Sequence, residues 1–89
     1  MVKHEENVLK RLKKGKPPHE IFQHFNNAFI AIDLTKDLTL FDIKRLKTTT
    51  DRVYFRLRKG QYRGIFFLEK GNLVVIAIDK REEVYKKWL

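Results

Sequence analysis

Apolar positions recur at helical spacing over the first third of the chain and alternate with a period of two from residue 53 onward. Val8, Leu9 and Leu12 put an apolar side on a helix over residues 4–14, and lysines fill the rest of its surface. Gly15 suits a helix C-cap and Pro17 cannot continue a helix, so the segment ends there. Pro18 then suits the first turn of a second helix, in which Ile21, Phe22, Phe25, Ala28, Phe29 and Ile32 form one stripe that reads as core. The run AFIAIDL inside it also fits a strand, but two antiparallel helices are the expectation. TKDLTLFDIKRLKTTTD is a connection, with room for a helical turn around Phe41 to Leu46. VYFRLR, YRGIFFLE and NLVVIAID read as three strands joined at KGQY and EKGN, and the third is apolar on both faces, as a central strand would be. KREEVYKKWL reads as a short terminal helix with Val84, Tyr85 and Trp88 on one side. The expected fold is α+β: two N-terminal helices on a small, mainly antiparallel sheet of three to four strands, then a short C-terminal helix.

The hairpin register follows from its turn. If Gly60 and Gln61 are the two central residues, Lys59 faces Tyr62, Leu57 faces Gly64 and Phe55 faces Phe66, on a side the helices should cover. On the other side Arg58 faces Arg63, Arg56 faces Ile65 and Tyr54 faces Phe67. Directly opposed arginines repel. With the parity unbroken through the next turn, Val74, Ile76, Ile78 and Lys80 join this arginine face, so that Arg56, Arg58, Arg63 and Lys80 meet at one end of it. Val84, Tyr85 and Trp88 could cover its apolar remainder. Lys59 points with the core face at its open end and is expected to be solvated.

Charge gives this face a purpose. The 89 residues carry 20 Lys and Arg against 11 Asp and Glu, a net charge of +9. Residues 1–40 hold 7 cations and 5 anions, whereas residues 41–89 hold 13 and 6. A positive field confined to part of one small domain suits a polyanion, usually nucleic acid. Asp51, Asp79 and Glu82 are the acids expected near enough to bridge the arginines.

Length allows one domain, residues 1–89, with one core. The absence of Cys excludes disulfides and thiolate metal ligands, no apolar run is long enough to span a membrane, and the first 15 residues lack the apolar core of a signal peptide. A cytoplasmic protein is expected. His4, His19 and His24 show no metal-ligand spacing and are expected at the surface or core edge. No Ser is present to act as nucleophile, and the 4 glycines are scattered rather than gathered in a phosphate loop. What remains is Arg, Lys and Tyr. That set suits metal-free RNA cleavage, in which the ribose 2′-OH attacks the adjacent phosphorus and the protein orients the phosphate, stabilises charge and moves protons.

YFRLRKGQYRGIFF, followed by LVVIAIDKREEVY, resembles the RelE/ParE toxin superfamily, whose members show an Arg…Gly-x-Tyr-Arg turn between two strands and a basic pair separated by three residues from a C-terminal Tyr. The matching positions are Arg58, Gly60, Tyr62 and Arg63, then Lys80, Arg81 and Tyr85. LFDIKRLK resembles the segment leading from helices to sheet. The match covers residues 40–85; the helical half fits in outline. The resemblance implies a RelE-like fold, a cognate antitoxin protein as partner, mRNA and the ribosome as targets, and no cofactor or metal. It implies that Arg63 stabilises the phosphate, that Arg81 lies near the leaving group, and that Tyr85 is general base. Arg56 stands at a strand Lys of the family, and its higher pKa suits phosphate contact better than base catalysis. Tyr54 stands where some relatives carry another Lys, and Lys80 competes with Tyr85 for the base role. Arg81 points away by the parity above, unless the strand ends or bulges after Asp79. Lys44, Lys47, Arg52, Tyr54 and Arg58 are expected to contact RNA around this set. Relatives begin with an edge strand, for which only Met1 to Lys3 are left here. A ParE-like toxin that poisons DNA gyrase without catalysis, or a basic RNA-binding module, are the alternatives.

Overall fold

A computed structural model describes residues 1–47 and 51–88. The order is β1 (Val2–His4), α1 (Glu6–Lys13), α2 (His19–Thr35), β2 (Ile43–Arg45), β3 (Tyr54–Lys59), β4 (Tyr62–Glu69), β5 (Asn72–Lys80) and α3 (Arg81–Trp88). The strands form one sheet in the order β1-β5-β4-β3-β2. Only β1 and β5 run parallel; the other three pairings are antiparallel. The α+β class, the two N-terminal helices, the central hairpins and the terminal helix are as the sequence predicts. AFIAIDL lies within α2. The end of the predicted connection, residues 48–50, lies outside the described residues. No helix among the described residues is long and apolar enough to cross a membrane.

The sheet has five strands, not three or four. Residues 43–45 are a strand where a helical turn is predicted. Phe41, Ile43 and Leu46 are spaced so that either conformation could bury them, and the open edge of β3 decides. There Lys44 pairs with Arg56, while the Arg58 N–H bonds the Asp42 carbonyl at 3.0 Å and the Leu46 N–H bonds that of Tyr54 at 2.9 Å. At the other edge β1 is short but present, so α1 starts at Glu6 rather than at residue 4. Pro18 stands at the cap before α2, not within its first turn, and its carbonyl accepts the Phe22 N–H at 3.0 Å.

The two sheet faces bury separate clusters. On the helix side Val8 of α1 and Phe22, Phe25, Phe29 and Ile32 of α2 pack on Leu57, Phe66, Leu73, Val75 and Ile78. On the other side Val84 of α3 packs on Leu46, Ile65, Phe67 and Ile76, with Tyr54 and Trp88 at the margin. Gly64 makes the first packing possible. A Cβ there would lie 2.9 Å from ring atoms of both Phe25 and Phe29, which are fully buried. Gly64→Ala is expected to destabilise the domain by about 1–3 kcal/mol, the usual cost of overpacking, as read by denaturant unfolding.

His4 ends β1 with its ring 5.2 Å from that of Phe22 and its Nε2 buried without a partner. Burial pushes its pKa below the ordinary 6.5. The unfolded chain therefore binds the proton first. Stability is full above pH 6.5 and is lost as the pH falls from there through the lower folded-state value. His4→Phe is expected to flatten this dependence between roughly pH 7 and 5 in denaturant titrations, a window set by the ordinary His value.

The hairpin register is the predicted one, residue for residue from Tyr54↔Phe67 to Lys59↔Tyr62, and Gly60 takes a positive φ of 59° in its turn. The register of β5 is not. Phe66 pairs with Val75 but Ile65 pairs with Ala77, so Ile76 is an extra residue, a β-bulge. The bulge reverses the parity of everything after it. Val74 and Ile76 stay on the arginine face, as expected. Ile78 moves to the helix-side core, and Lys80 faces Tyr62 rather than joining the arginines.

Candidate functional site

The arginine face is built by the β3–β4 turn, the start of α3 and the edge strand β2. Arg63 is only 4% exposed. Its Nη1 donates to the Gly60 carbonyl at 2.8 Å and to the Tyr62 carbonyl at 2.9 Å, which fixes the guanidinium against its own turn. Its Nε is buried and has no partner. A buried donor without an acceptor is costly. It is also a donor held ready for one.

The Arg81 N–H bonds the Gln61 carbonyl at 2.9 Å, so the first residue of α3 is pinned to the same turn. Four residues on, Tyr85 returns to the same helix face, and the Arg81 guanidinium lies 5.1 Å from its ring centroid. The hydrogen bond from Arg81, the positive charge of Arg81, and then a hydrogen bond and charge from Arg63 hold the Tyr85 phenol below its ordinary pKa of 10.0 against an opposing push from desolvation. Thus Arg63, Arg81 and Tyr85 come together. The strand bulges at Ile76, before Asp79 rather than after it, and ends at Lys80, so that Arg81 opens α3.

The other expected site residues divide. Arg56 and Lys44 sit directly opposite one another, and with Lys47, Tyr85 and Trp88 they line an open groove beside the cluster. Arg58 faces Arg63 as predicted. Lys80 is not in the cluster; it lies near Pro17, Pro18 and Tyr62 at the end of α1. Arg52 is at the far end of the face, over the Phe67 ring at 4.1 Å and 3.2 Å from Glu69. Tyr54 packs its ring between Phe67, at 5.9 Å, and Trp88, at 6.0 Å. Lys59, expected to be solvated, has its Nζ 5.5 Å from the Phe41 ring centroid.

The acid beside the arginines is one the sequence reading passed over. Asp42 Oδ1 accepts from Arg56 Nη2 at 3.4 Å, and its Oδ2 lies 3.8 Å from Arg58 Nε. Recognising residues 43–45 as a strand would have revealed it, since the ladder then runs Asp42 alongside Arg58. Asp79, one of the acids expected to bridge, pairs with Arg11 of α1 instead. Arg56 Nε, like Arg63 Nε, is buried without a partner. Two unsatisfied guanidinium donors and a phenol shifted toward its anion stand beside a basic groove, a set whose chemistry suits an anion such as phosphate and a proton acceptor next to it.

No protein-family model matches the chain, and no curated protein matches it. Solved structures do. A chain of the RelB–RelE antitoxin–toxin complex from Methanococcus jannaschii is 22% identical, aligned over 98% of this chain and 99% of that one, with a TM-score of 0.73. A chain of the archaeal RelE–RelB complex from Pyrococcus horikoshii OT3 is 24% identical over 90% of this chain and 92% of that one, with a TM-score of 0.63. Near-complete coverage in both directions means that the helices, the sheet and the short terminal helix are shared as one architecture. In fold, the chain is RelE-like.

Proposed function

We propose that this protein is the toxin of a toxin–antitoxin pair and a metal-independent endoribonuclease that cuts mRNA engaged by the ribosome. The observation that carries the reading is the meeting of Arg63, Arg81 and Tyr85, with Arg63 Nε buried and unpartnered beside a phenol whose pKa is lowered. The fold shared with chains of RelB–RelE complexes supports the toxin role.

The chemistry follows from the residues. The Arg63 guanidinium binds a non-bridging phosphate oxygen and orients the phosphorus for attack by the neighbouring 2′-OH. Tyr85, as phenolate, accepts the 2′-OH proton; the lower its pKa, the more of it is phenolate near neutrality. Negative charge builds on the phosphoryl oxygens in the transition state, where Arg63 and Arg56 stabilise it, and on the leaving 5′-oxygen beside Arg81, which takes a proton from water and departs as the 5′-hydroxyl as the 2′-O–P bond forms and the P–O5′ bond breaks. Lys44, Lys47 and Arg58 guide the RNA backbone into the groove. Lys80 pairs with Tyr62 and lines the pocket at the end of α1, which favours Tyr85 for the base role. The partner is an antitoxin with acidic residues that covers the arginine face and neutralises it.

Primer extension on mRNA from cells induced to express the protein tests the activity. Cuts within translated regions, lost in the Arg63→Ala variant, are the expected result. Intact mRNA with DNA breaks would select the gyrase-poisoning alternative instead.

A further inference from the structure

Arg63 has two cross-strand neighbours, Arg58 on β3 and Asp79 on β5. Directly paired residues in an antiparallel sheet are about 4.5–5.5 Å apart at Cα, within easy reach for an arginine and an aspartate. Arg and carboxylate also match each other's geometry. A counter-ion for Arg63 is therefore built into the sheet at the next strand, and it is the Ile76 bulge that puts it there. Yet Arg63 does not use it. Both Asp79 oxygens are engaged elsewhere. Oδ2 accepts from Arg11 Nη2, and Oδ1 accepts the Lys80 backbone N–H at 2.8 Å. Arg11 is set in place by α1, whose buried Val8, one turn earlier, docks the helix on the core.

We propose that Arg11 is a positioning residue for the phosphate site: by holding the Asp79 carboxylate, it keeps Arg63 free of an internal counter-ion and open to an external anion. The inference rests on the reading above, that Arg63 binds phosphate. Without Arg11, Asp79 loses the charged partner that turns it away. Arg63, its direct partner across the β4–β5 ladder, is then a cation within its reach, and the carboxylate competes with phosphate for the same guanidinium edge. The pair thus acts on the site without touching substrate, which a simple tie between α1 and β5 would not do.

Opposite signs for the two partners separate these roles. Inorganic phosphate is titrated into the full-length protein, and the Arg63 Nε–Hε signal, assigned by its absence from Arg63→Lys, is followed by NMR. Arg11→Ala is expected to weaken phosphate binding about tenfold, the scale of one diverted charge-assisted contact. Asp79→Asn is expected to bind as tightly as the parent or tighter. The double variant Arg11→Ala/Asp79→Asn is expected to regain the parent affinity, and Arg11→Lys to retain most of it. Parent-like binding by Arg11→Ala would overturn the proposal, as would equal weakening by Asp79→Asn, which breaks the same ion pair but leaves no carboxylate to compete with phosphate. A parent protein whose Arg63 signal ignores phosphate would overturn the phosphate-site reading itself, and this proposal with it.

Discussion

Arg63→Ala is expected to lower RNA cleavage by about 10²–10³-fold while the protein stays folded. The scale is that of removing one preorganised donor from a charge-stabilising site. Preorganisation is visible in the ground state: the turn carbonyls of Gly60 and Tyr62 hold Nη1, and Nε is buried without a partner. The fold should survive because the helix-side cluster, which does not include Arg63, supplies most of the buried apolar surface. The two freed carbonyls lie at a turn within reach of water, so the stability cost should be about 1–2 kcal/mol. Arg63→Lys is a sharper probe. It keeps the charge but not the planar fork, and should recover little of the activity. Cleavage rates on a defined mRNA, with circular dichroism melts of each variant, check both parts.

Tyr85→Phe should cost about 10²–10⁴-fold, the range for loss of a positioned acid–base group. Its pH dependence says more than its size. A base must be deprotonated to work, so the parent rate should rise with pH and level off as the pH passes the Tyr85 pKa. Arg81 and Arg63 place that plateau below the ordinary 10.0 of tyrosine. Tyr85→Phe should abolish the rising limb, while the folded stability changes little, because the phenol lies outside the Val84 cluster. Arg81→Ala should move the limb toward higher pH, since it removes the largest cause of the shift. A pH profile of single-turnover cleavage for the three proteins tests the assignment. An unchanged limb in Tyr85→Phe would return the base role to another group.

The two kinds of feature that were and were not legible in the sequence differ physically. A two-residue Gly-X turn has one register, so the pairing of Arg58 with Arg63 could be read directly from Gly60. The spacing of Arg81 and Tyr85 is one helical turn, so their proximity needed only that the tail be helical. LVVIAI gave no such handle. It is apolar on both faces, and an extra residue at Ile76 leaves no polar side chain stranded to mark the slip. Everything that depends on that bulge was hidden with it: the departure of Lys80 from the face, the arrival of Asp79 beside Arg63, and the pairing of Asp79 with Arg11. The edge strands β1 and β2, three residues each, were too short for a period to show, and their hydrogen bonds to β5 and β3 are what hold them extended. Asp42 was lost with β2.

The central claim is that this face uses the RNA's own 2′-OH as nucleophile. It is tested most directly by the chemistry of the cut ends in mRNA recovered from expressing cells. Attack by the 2′-OH leaves a 2′,3′-cyclic phosphate, or its hydrolysed monophosphate, on the upstream fragment and a 5′-OH on the downstream one. Those are the ends expected here. A 3′-OH paired with a 5′-phosphate would mean that water attacked instead, and would contradict the account.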